Sequence, residues 1–196
     1  GDSIYFDDLT GCCPGGYWYL YDPDGSYVFG DGFDGSDPGY RTLTKTGTYR
    51  ILVTRDNPCQ TLDYSFALLV PITDEFTINL GDTIGPDEIN DTPALGAGNI
   101  EEAGHRDLYV FTAPAGQVVW MHDLGGSPSG RFLWQLFDST GINVVNDWLD
   151  GGSLGRYVLT KGGTYSIRVS TYYAGWDYVG TYSFQLAPAP APQEPL

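Results

Sequence analysis

The chain has 196 residues, a formal net charge of −16 and an aromatic content of 15%. Such an acidic surface repels phosphate backbones and anionic lipid, so the composition argues against nucleic acid as a partner and against membrane insertion. The 27 glycines, 13 prolines and many aromatic residues favour short strands joined by tight turns, and no apolar run reaches the roughly 20 residues that cross a bilayer.

The first 70 residues predict strands separated by glycine-containing turns. Between Thr48 and Val53 the apolar Tyr49, Ile51 and Val53 recur at every second position, which is the two-residue period of a strand with one buried face. Residues 22–25 have the composition of a hairpin turn in which glycine supplies the positive φ. This part of the chain is therefore predicted to be antiparallel β structure.

Three cysteines lie in this half of the chain: Cys12, Cys13 and Cys59. None has the C-x-x-C spacing of a zinc site. In an oxidising compartment Cys59 would bond one of the adjacent pair and leave one thiol for an interchain bond, or the adjacent pair would form a strained vicinal disulfide. The sequence leaves these disulfide alternatives open.

The chain contains an internal repeat. Residues 18–54 align with residues 134–170 without a gap, and 17 of the 37 positions are identical. The shorter flanking matches are 1–9 with 116–124 and 63–68 with 181–186. The two halves are therefore predicted to share one fold.

The repeat also indicates which side of a strand is buried. Tyr49, Ile51 and Val53 recur unchanged 116 residues later. The alternating Arg50 and Leu52 do not recur. Because neighbouring side chains of a strand point to opposite faces, the unchanged set is predicted to face the core and the other set to face water.

The second copy is longer and shows no helical periodicity. Its predicted strands are 75–80, 107–113, 117–122, 132–138, 142–145, 156–160, 164–170 and 180–186. We predict an all-β chain of two tandem antiparallel β-sandwiches of the jelly-roll kind. The predicted divisions are an incomplete repeat at 1–72, a complete repeat at 73–187 and a proline-rich linker or tail at 188–196.

The first copy begins at the position equivalent to residue 116, so it has no counterpart of the strands predicted before that position. A sandwich without those strands exposes apolar surface and unpaired edges, which natural proteins avoid. Two explanations stay open. The chain is a fragment of a longer repetitive protein, or a neighbouring repeat or identical subunit supplies the strands by β-strand addition.

Several stretches of the second copy carry, in order, the motifs of a known family. They are E-I-N-D-T at 88–92, G-N-I-E at 98–101, D-L-Y-V-F-T at 107–112, A-G-Q at 115–117, L-F-D at 136–138, G-T-Y-S-I-R-V at 163–169 and Y-S-F-Q-L at 182–186. On these motifs residues 88–186 resemble the bacterial pre-peptidase C-terminal domain family. The resemblance implies a non-catalytic β-sandwich of secreted proteases and surface proteins that serves in adhesion, substrate binding or spacing.

Members similar to the collagen-binding domains of bacterial collagenases hold calcium with an acidic opening segment and an Asp-x-x-Asp. The calcium ligands that the resemblance implies here are Glu88, Asn90, Asp91 and Asp107. Gly104 stands in place of the first aspartate of the Asp-x-x-Asp, so Glu102 or Asp87 would have to replace that ligand. The residues alone also form an acidic cluster that offers oxygen ligands to calcium, although a solvated acidic loop with local turns explains them as well.

A loop near the end of the second copy is rich in aromatic residues: Tyr172, Tyr173, Trp176 and Tyr178. Exposed tyrosine and tryptophan make good binding surfaces, so the loop is a candidate site for an extracellular protein or polysaccharide. The alternative is a loop that folds over the end of its own sandwich.

The chain offers few residues for nucleophilic catalysis and has no G-x-S-x-G motif, and we predict that it is not an enzyme. Its two histidines, His105 and His122, are expected to be exposed, and no cysteine lies near them in sequence. The D-x-x-D-G pattern at 31–35 and at 147–151 is explained more simply by turn-forming residues than by a metal.

Three extracellular or cell-surface functions remain as hypotheses. The first is a structural or adhesive repeat module, rigidified by calcium, of a larger surface or filamentous protein. The second is a self-assembling filament subunit completed by a strand from a neighbouring chain. The third is a substrate-targeting domain of a secreted protease or other hydrolase.

Overall fold

The computed structural model describes residues 3–10, 15–33, 37–56, 61–86, 93–152, 155–171 and 178–189. Every regular element in these ranges is a β-strand, so the predicted all-β fold is confirmed. No helix in these ranges is long and apolar enough to span a membrane. The described residues form two compact units, one up to Pro71 and one from Ile72 onward.

The first unit contains six strands in two sheets. The strands are β1 Ser3–Asp8, β2 Gly16–Tyr21, β3 Tyr27–Gly32, β4 Gly39–Thr42, β5 Arg50–Arg55 and β6 Phe66–Leu69. One sheet has the order β4-β1-β6 and the other has the order β3-β2-β5. The alternating burial along β2 is that of a strand with one face in the core.

The second unit contains ten strands. They are β7 Thr73–Thr77, β8 Thr83–Ile84, β9 Asn99–Ile100, β10 Arg106–Ala113, β11 Gln117–Ser127, β12 Phe132–Phe137, β13 Asn143–Trp148, β14 Gly155–Leu159, β15 Gly163–Thr171 and β16 Gly180–Pro188. One sheet has the order β13-β12-β15-β10-β7, and the other has the order β14-β11-β16-β8, with β9 also on β16.

The second unit differs from the prediction in three details. The short strands β8 and β9 were not predicted, because two residues carry no readable period. The edge strand β7 runs parallel to β10, whereas the prediction was an antiparallel sandwich. Strand β16 includes Pro188, which the sequence analysis placed in the tail.

The two units pair their equivalent strands in the same register. Trp18 lies opposite Val53 in the first unit, as Trp134 lies opposite Val169 in the second. Phe6 lies opposite Leu68, and the equivalent Met121 lies opposite Leu186. The repeat seen in the sequence is therefore a repeat of strand pairing, residue for residue.

Both units use the same hairpin turn after the central tryptophan strand. The N–H of Gly141 donates to the carbonyl of Asp138 at 2.8 Å, with a φ of 79° at the glycine. The Lys161 Nζ lies 2.6 Å from Asp138 Oδ2. The hydrogen bonds from Lys161 and Thr140 hold the pKa of the Asp138 carboxyl well below its usual range. In the first unit Lys45 binds the aspartate of the equivalent turn.

The two units differ most in the size of their cores. Among the described residues, the main core cluster of the second unit contains 21 buried apolar side chains, whereas that of the first unit contains four. The four are Phe6, Trp18, Leu20 and Phe33. The predicted inward set of the repeated strand does face the core in both units, but in the first unit Ile51 and Val53 are only half-buried.

Candidate cation site

Acidic side chains and one histidine come together at the start of β10 in the second unit. One ligand atom each from Asp74, Glu101 and His105 lies within 4.8 Å of the others. The parallel pairing of β7 with β10 brings Asp74 there, since it places that residue opposite Asp107. His105 lies in the turn that directly precedes β10. Its N–H donates to the carbonyl of Glu102 at 3.1 Å.

Asp107 lies next to this group, opposite Asp74, and only 1% of its surface is exposed. The Tyr182 hydroxyl donates to Asp107 Oδ2, and the Tyr109 hydroxyl lies 3.3 Å from the same oxygen. The two hydroxyls are 2.7 Å apart, and the Gly98 N–H donates to the Tyr109 oxygen at 2.8 Å. These hydrogen bonds form one chain from a backbone N–H to the carboxylate.

The second oxygen of Asp107 is different. Oδ1 is buried and has no hydrogen-bond partner among the described residues. A buried carboxylate oxygen without a partner carries a desolvation cost that is normally offset by a hydrogen bond or by a cation. The carboxylates of Asp74 and Glu101 lie close enough to act on Asp107 electrostatically.

Burial raises the pKa of the Asp107 carboxyl to about 7, and repulsion from Glu101 and Asp74 adds to the rise. The hydrogen bonds from Tyr182 and Tyr109 act in the opposite direction. Burial also raises the pKa of both tyrosine hydroxyls, so they remain donors. The site thus concentrates carboxylates that repel one another unless a positive charge joins them.

Oxygen ligands of this kind suit a hard cation. Asp107 supplies a fixed, buried oxygen, while Asp74 is half-buried and Glu101 is exposed. Calcium takes about six to eight oxygen ligands in a flexible geometry and accepts such a mixture. The described residues alone supply fewer than this, so further ligands are needed from elsewhere in the chain or from water.

The predicted metal ligands fall into two groups. Four of them, Asp87, Glu88, Asn90 and Asp91, lie outside the described residues. Of the other two, Asp107 lies beside the cluster, within electrostatic reach of Glu101 and Asp74, and the exposed Glu102 has its Oε2 3.5 Å from His105 Nε2. The structure adds Asp74, which the sequence analysis did not include. Only the parallel pairing of β7 with β10 brings it to the site, and no local pattern encodes that pairing.

Both histidines are less exposed than the sequence predicted, and His122 is half-buried. His105 was expected to be exposed, but only 7% of its surface is, because the turn at Gly104 folds it against the cluster. Gly104 has a φ of 77°. Glycine adopts that backbone conformation without the steric cost that a Cβ atom adds.

The other predicted sites are only partly described. Tyr172, Tyr173 and Trp176 of the aromatic loop lie outside the described residues, as do Cys12, Cys13 and Cys59. Tyr178 is described, and the Arg131 guanidinium lies 4.5 Å from the centre of its ring. Such a contact holds the tyrosine against its own unit.

The D-x-x-D-G segments use their described carboxylates for local hydrogen bonds. The N–H of Gly32 donates to Asp31 Oδ1 at 3.0 Å, and that of Trp148 donates to Asp147 Oδ1 at 2.9 Å. Asp150 Oδ1 accepts from the N–H of Gly152 at 3.1 Å. These contacts agree with the interpretation of the pattern as turn-forming residues.

Comparison with known proteins gives similarity to solved structures only. No protein-family model matches the chain, and no curated protein matches it. A pre-peptidase C-terminal domain of collagenase from Bacillus anthracis is 19% identical and has a TM-score of 0.43. The match covers 59% of this chain and 96% of that one. It is a solved member of the family that the sequence motifs resemble.

Two further similar structures are PliG proteins, periplasmic inhibitors of g-type lysozyme. The one from Aeromonas hydrophila is 14% identical and has a TM-score of 0.38, covering 59% of this chain and 99% of that one. The one from Salmonella Typhimurium is 20% identical, also with a TM-score of 0.38, covering 58% and 98%. Similarity at this level says nothing about what this chain binds.

Proposed function

We propose that the chain is a non-catalytic structural module of an extracellular protein, and that a calcium ion fixes the start of β10 in its second unit. The observation that carries this proposal is Asp107, a buried carboxylate with one unpartnered oxygen among other acidic side chains. A bound cation would offset both the repulsion and the desolvation at that oxygen.

The proposed calcium ion is compatible with the proposed extracellular location. The described cluster includes the exposed Glu101 and the half-buried Asp74, so these two carboxylates stay hydrated in the absence of the ion. Sites of this kind in extracellular modules bind calcium with dissociation constants of about 10⁻⁴ to 10⁻³ M, and millimolar calcium outside cells fills them. A module of this kind would be loaded and rigid outside the cell.

The test is the thermal unfolding of the full chain in 5 mM calcium (roughly ten times such a dissociation constant) and in chelator. Calcium is expected to raise the midpoint of the second unit, because a ligand that binds only the folded state stabilises it, by about 1.4 kcal/mol at ten times its dissociation constant. Asp107→Asn should abolish the shift, and Asp91→Asn should weaken it. An equal midpoint with and without calcium would remove the ion from this proposal.

Two controls make the experiment specific. Asp138→Asn changes another buried aspartate, one held by Lys161 in a hairpin turn. It should lower stability but leave the calcium shift intact. Zinc is the second control, because imidazole is a good zinc ligand and His105 lies in the cluster. Stabilisation by zinc and not by calcium would contradict the choice of ion.

A further inference from the structure

The second unit shows which strands cover the sheet positions that lie at the edge of the first unit. Strands β15 and β16 of the second unit are the equivalents of β5 and β6. Beyond β15 the sheet continues with β10 and β7, and beyond β16 it continues with β8 and β9. In the described part of the first unit, β5 and β6 are the last strands of their sheets.

Apolar side chains that are covered in the second unit are uncovered in the first. Tyr64 is 48% exposed, whereas its equivalent Tyr182 is 1% exposed. Leu68 is 47% exposed, whereas its equivalent Leu186 is fully buried. The leucine pair shares one strand register, and the tyrosine pair occupies equivalent positions of the repeat, so the differences in exposure indicate what the additional strands cover.

The uncovered surface already has the side-chain arrangement of the covered one. The rings of Tyr64 and Phe66 are stacked with centroids 6.3 Å apart and planes at 9°. Their equivalents Tyr182 and Phe184 are 6.3 Å apart with planes at 8°. A surface that needs no rearrangement avoids much of the ordering cost of binding.

The side chains of residues 73–113, which cover β15 and β16 in the second unit, indicate what kind of segment fits the equivalent surface of the first unit. In the second unit Tyr109 lies opposite Ile167, and its ring meets that of Phe184 edge to face at 5.2 Å. Phe111 lies opposite Tyr165 and stacks on it at 5.7 Å. The same 73–113 segment places the aliphatic Ile84 opposite Phe184 on the other sheet.

We propose that β5 and β6 form an acceptor groove for one polypeptide segment with the pattern of residues 73–113. One strand of the segment would run antiparallel to β5, with a tyrosine opposite Ile51 and a second aromatic residue opposite Tyr49. A second, short strand would run antiparallel to β6, with an aliphatic residue opposite Phe66. Backbone hydrogen bonds would provide affinity and these side chains specificity.

The occupant is an additional segment and not the 73–113 segment of this chain or of an identical one. That segment already completes the second unit, where Tyr109 and Phe111 are buried. If an identical chain donated it, an equivalent groove would open in the donor, and no apolar surface would be gained. The proposal is independent of the cation site, since the groove lies in the first unit.

The main experiment places a duplicate of residues 72–115 directly before Gly1 of the full chain, which reproduces the order of the second unit. We expect amide hydrogen exchange in β5 and β6 to slow by at least about tenfold, because edge strands that become internal open less often. A matched chain carries Tyr109→Lys and Phe111→Lys in the duplicate only. Equal exchange in the two extended chains would overturn the proposal.

A second experiment uses the unextended chain and a fluorescent peptide of residues 72–115. We expect saturable binding with one peptide per chain, weakened at least about tenfold by Leu68→Asn, since one buried leucine is worth roughly this much or more. The control is Leu52→Asn, because Leu52 is equally exposed but alternates with the inward residues of β5. Equal loss with both variants, or no saturable binding, would count against the groove.

Discussion

At the scale of single residues, Asp107 is the most informative side chain of the second unit. A leucine at this position would avoid the cost of burying a carboxylate, yet the chain places an aspartate there and leaves one oxygen without a partner. Two tyrosines and a glycine N–H are committed to holding the other oxygen in place. Such positioning is of little use to a side chain that only fills space.

This burial predicts a specific pH dependence in calcium-free buffer. The pKa of Asp107 is raised from about 3.8 to about 7 in the folded state, so between these values the folded protein holds a proton that the unfolded chain releases. Stability should therefore fall as the pH rises from about 4 to about 7, by at most about 4 kcal/mol. Urea unfolding at pH 4 and pH 8 measures the difference.

Asp107→Asn removes the titrating group and should flatten this part of the profile. Calcium should do the same in the unchanged protein, because it favours the ionised carboxylate. The opposite sign, with stability that increases through this pH range and is insensitive to the substitution, would show that Asp107 is ionised and satisfied without a cation. Asp138→Asn again serves as the control, since its pKa is lowered by Lys161 and not raised.

At the scale of strands, much of the fold was readable from the sequence, and the reason is periodicity. The comparison of two copies separated inward from outward residues in β5 and β15 more reliably than one copy would. The pairing of β7 with β10 was not readable, because the direction of a partner strand leaves no mark on local alternation. Asp74 entered the cation site through that pairing, which is a non-local contact, whereas His105 lies in a local turn whose effect on burial the composition did not reveal.

The equivalent strands β5 and β15 allow a matched test of how much burial each unit achieves. Ile167 is fully buried, whereas Ile51 is half-buried. Ile167→Ala is expected to cost about 3 kcal/mol and Ile51→Ala about half of that, because the loss grows with the apolar surface and cavity left behind. The NMR indole signals of Trp134 and Trp18 report the unfolding of each unit separately.

A reversed order of these two costs would mean that Ile51 is covered in solution. That result would conflict with the exposed edge on which the acceptor groove rests. The extended chain gives a second check, because the cost of Ile51→Ala should rise toward that of Ile167→Ala once the duplicate segment is in place. The same chain leaves the cost of Ile167→Ala unchanged.

At the scale of the whole molecule, the described residues of the two units share one pattern of strand pairing. They share strand order, register and hairpin turns, and they differ in the residues before the equivalent of residue 116. The second unit encloses a core of many buried apolar side chains. In the first unit the inner faces of the two sheets bury far fewer of them. Stability within the chain should therefore be uneven, since it follows the apolar area removed from water.

Hydrogen exchange on the unmodified chain tests this directly. Amides of β2 and β5 should exchange at least about tenfold faster than those of β12 and β15, because local opening is easier where fewer apolar contacts are lost. Calcium should slow exchange in β10 and leave β2 and β5 unchanged, since the cation cluster belongs to the second unit. Equal protection of the two strand pairs would show that the first unit is complete as it stands, and the groove would then have no apolar surface left to offer a partner.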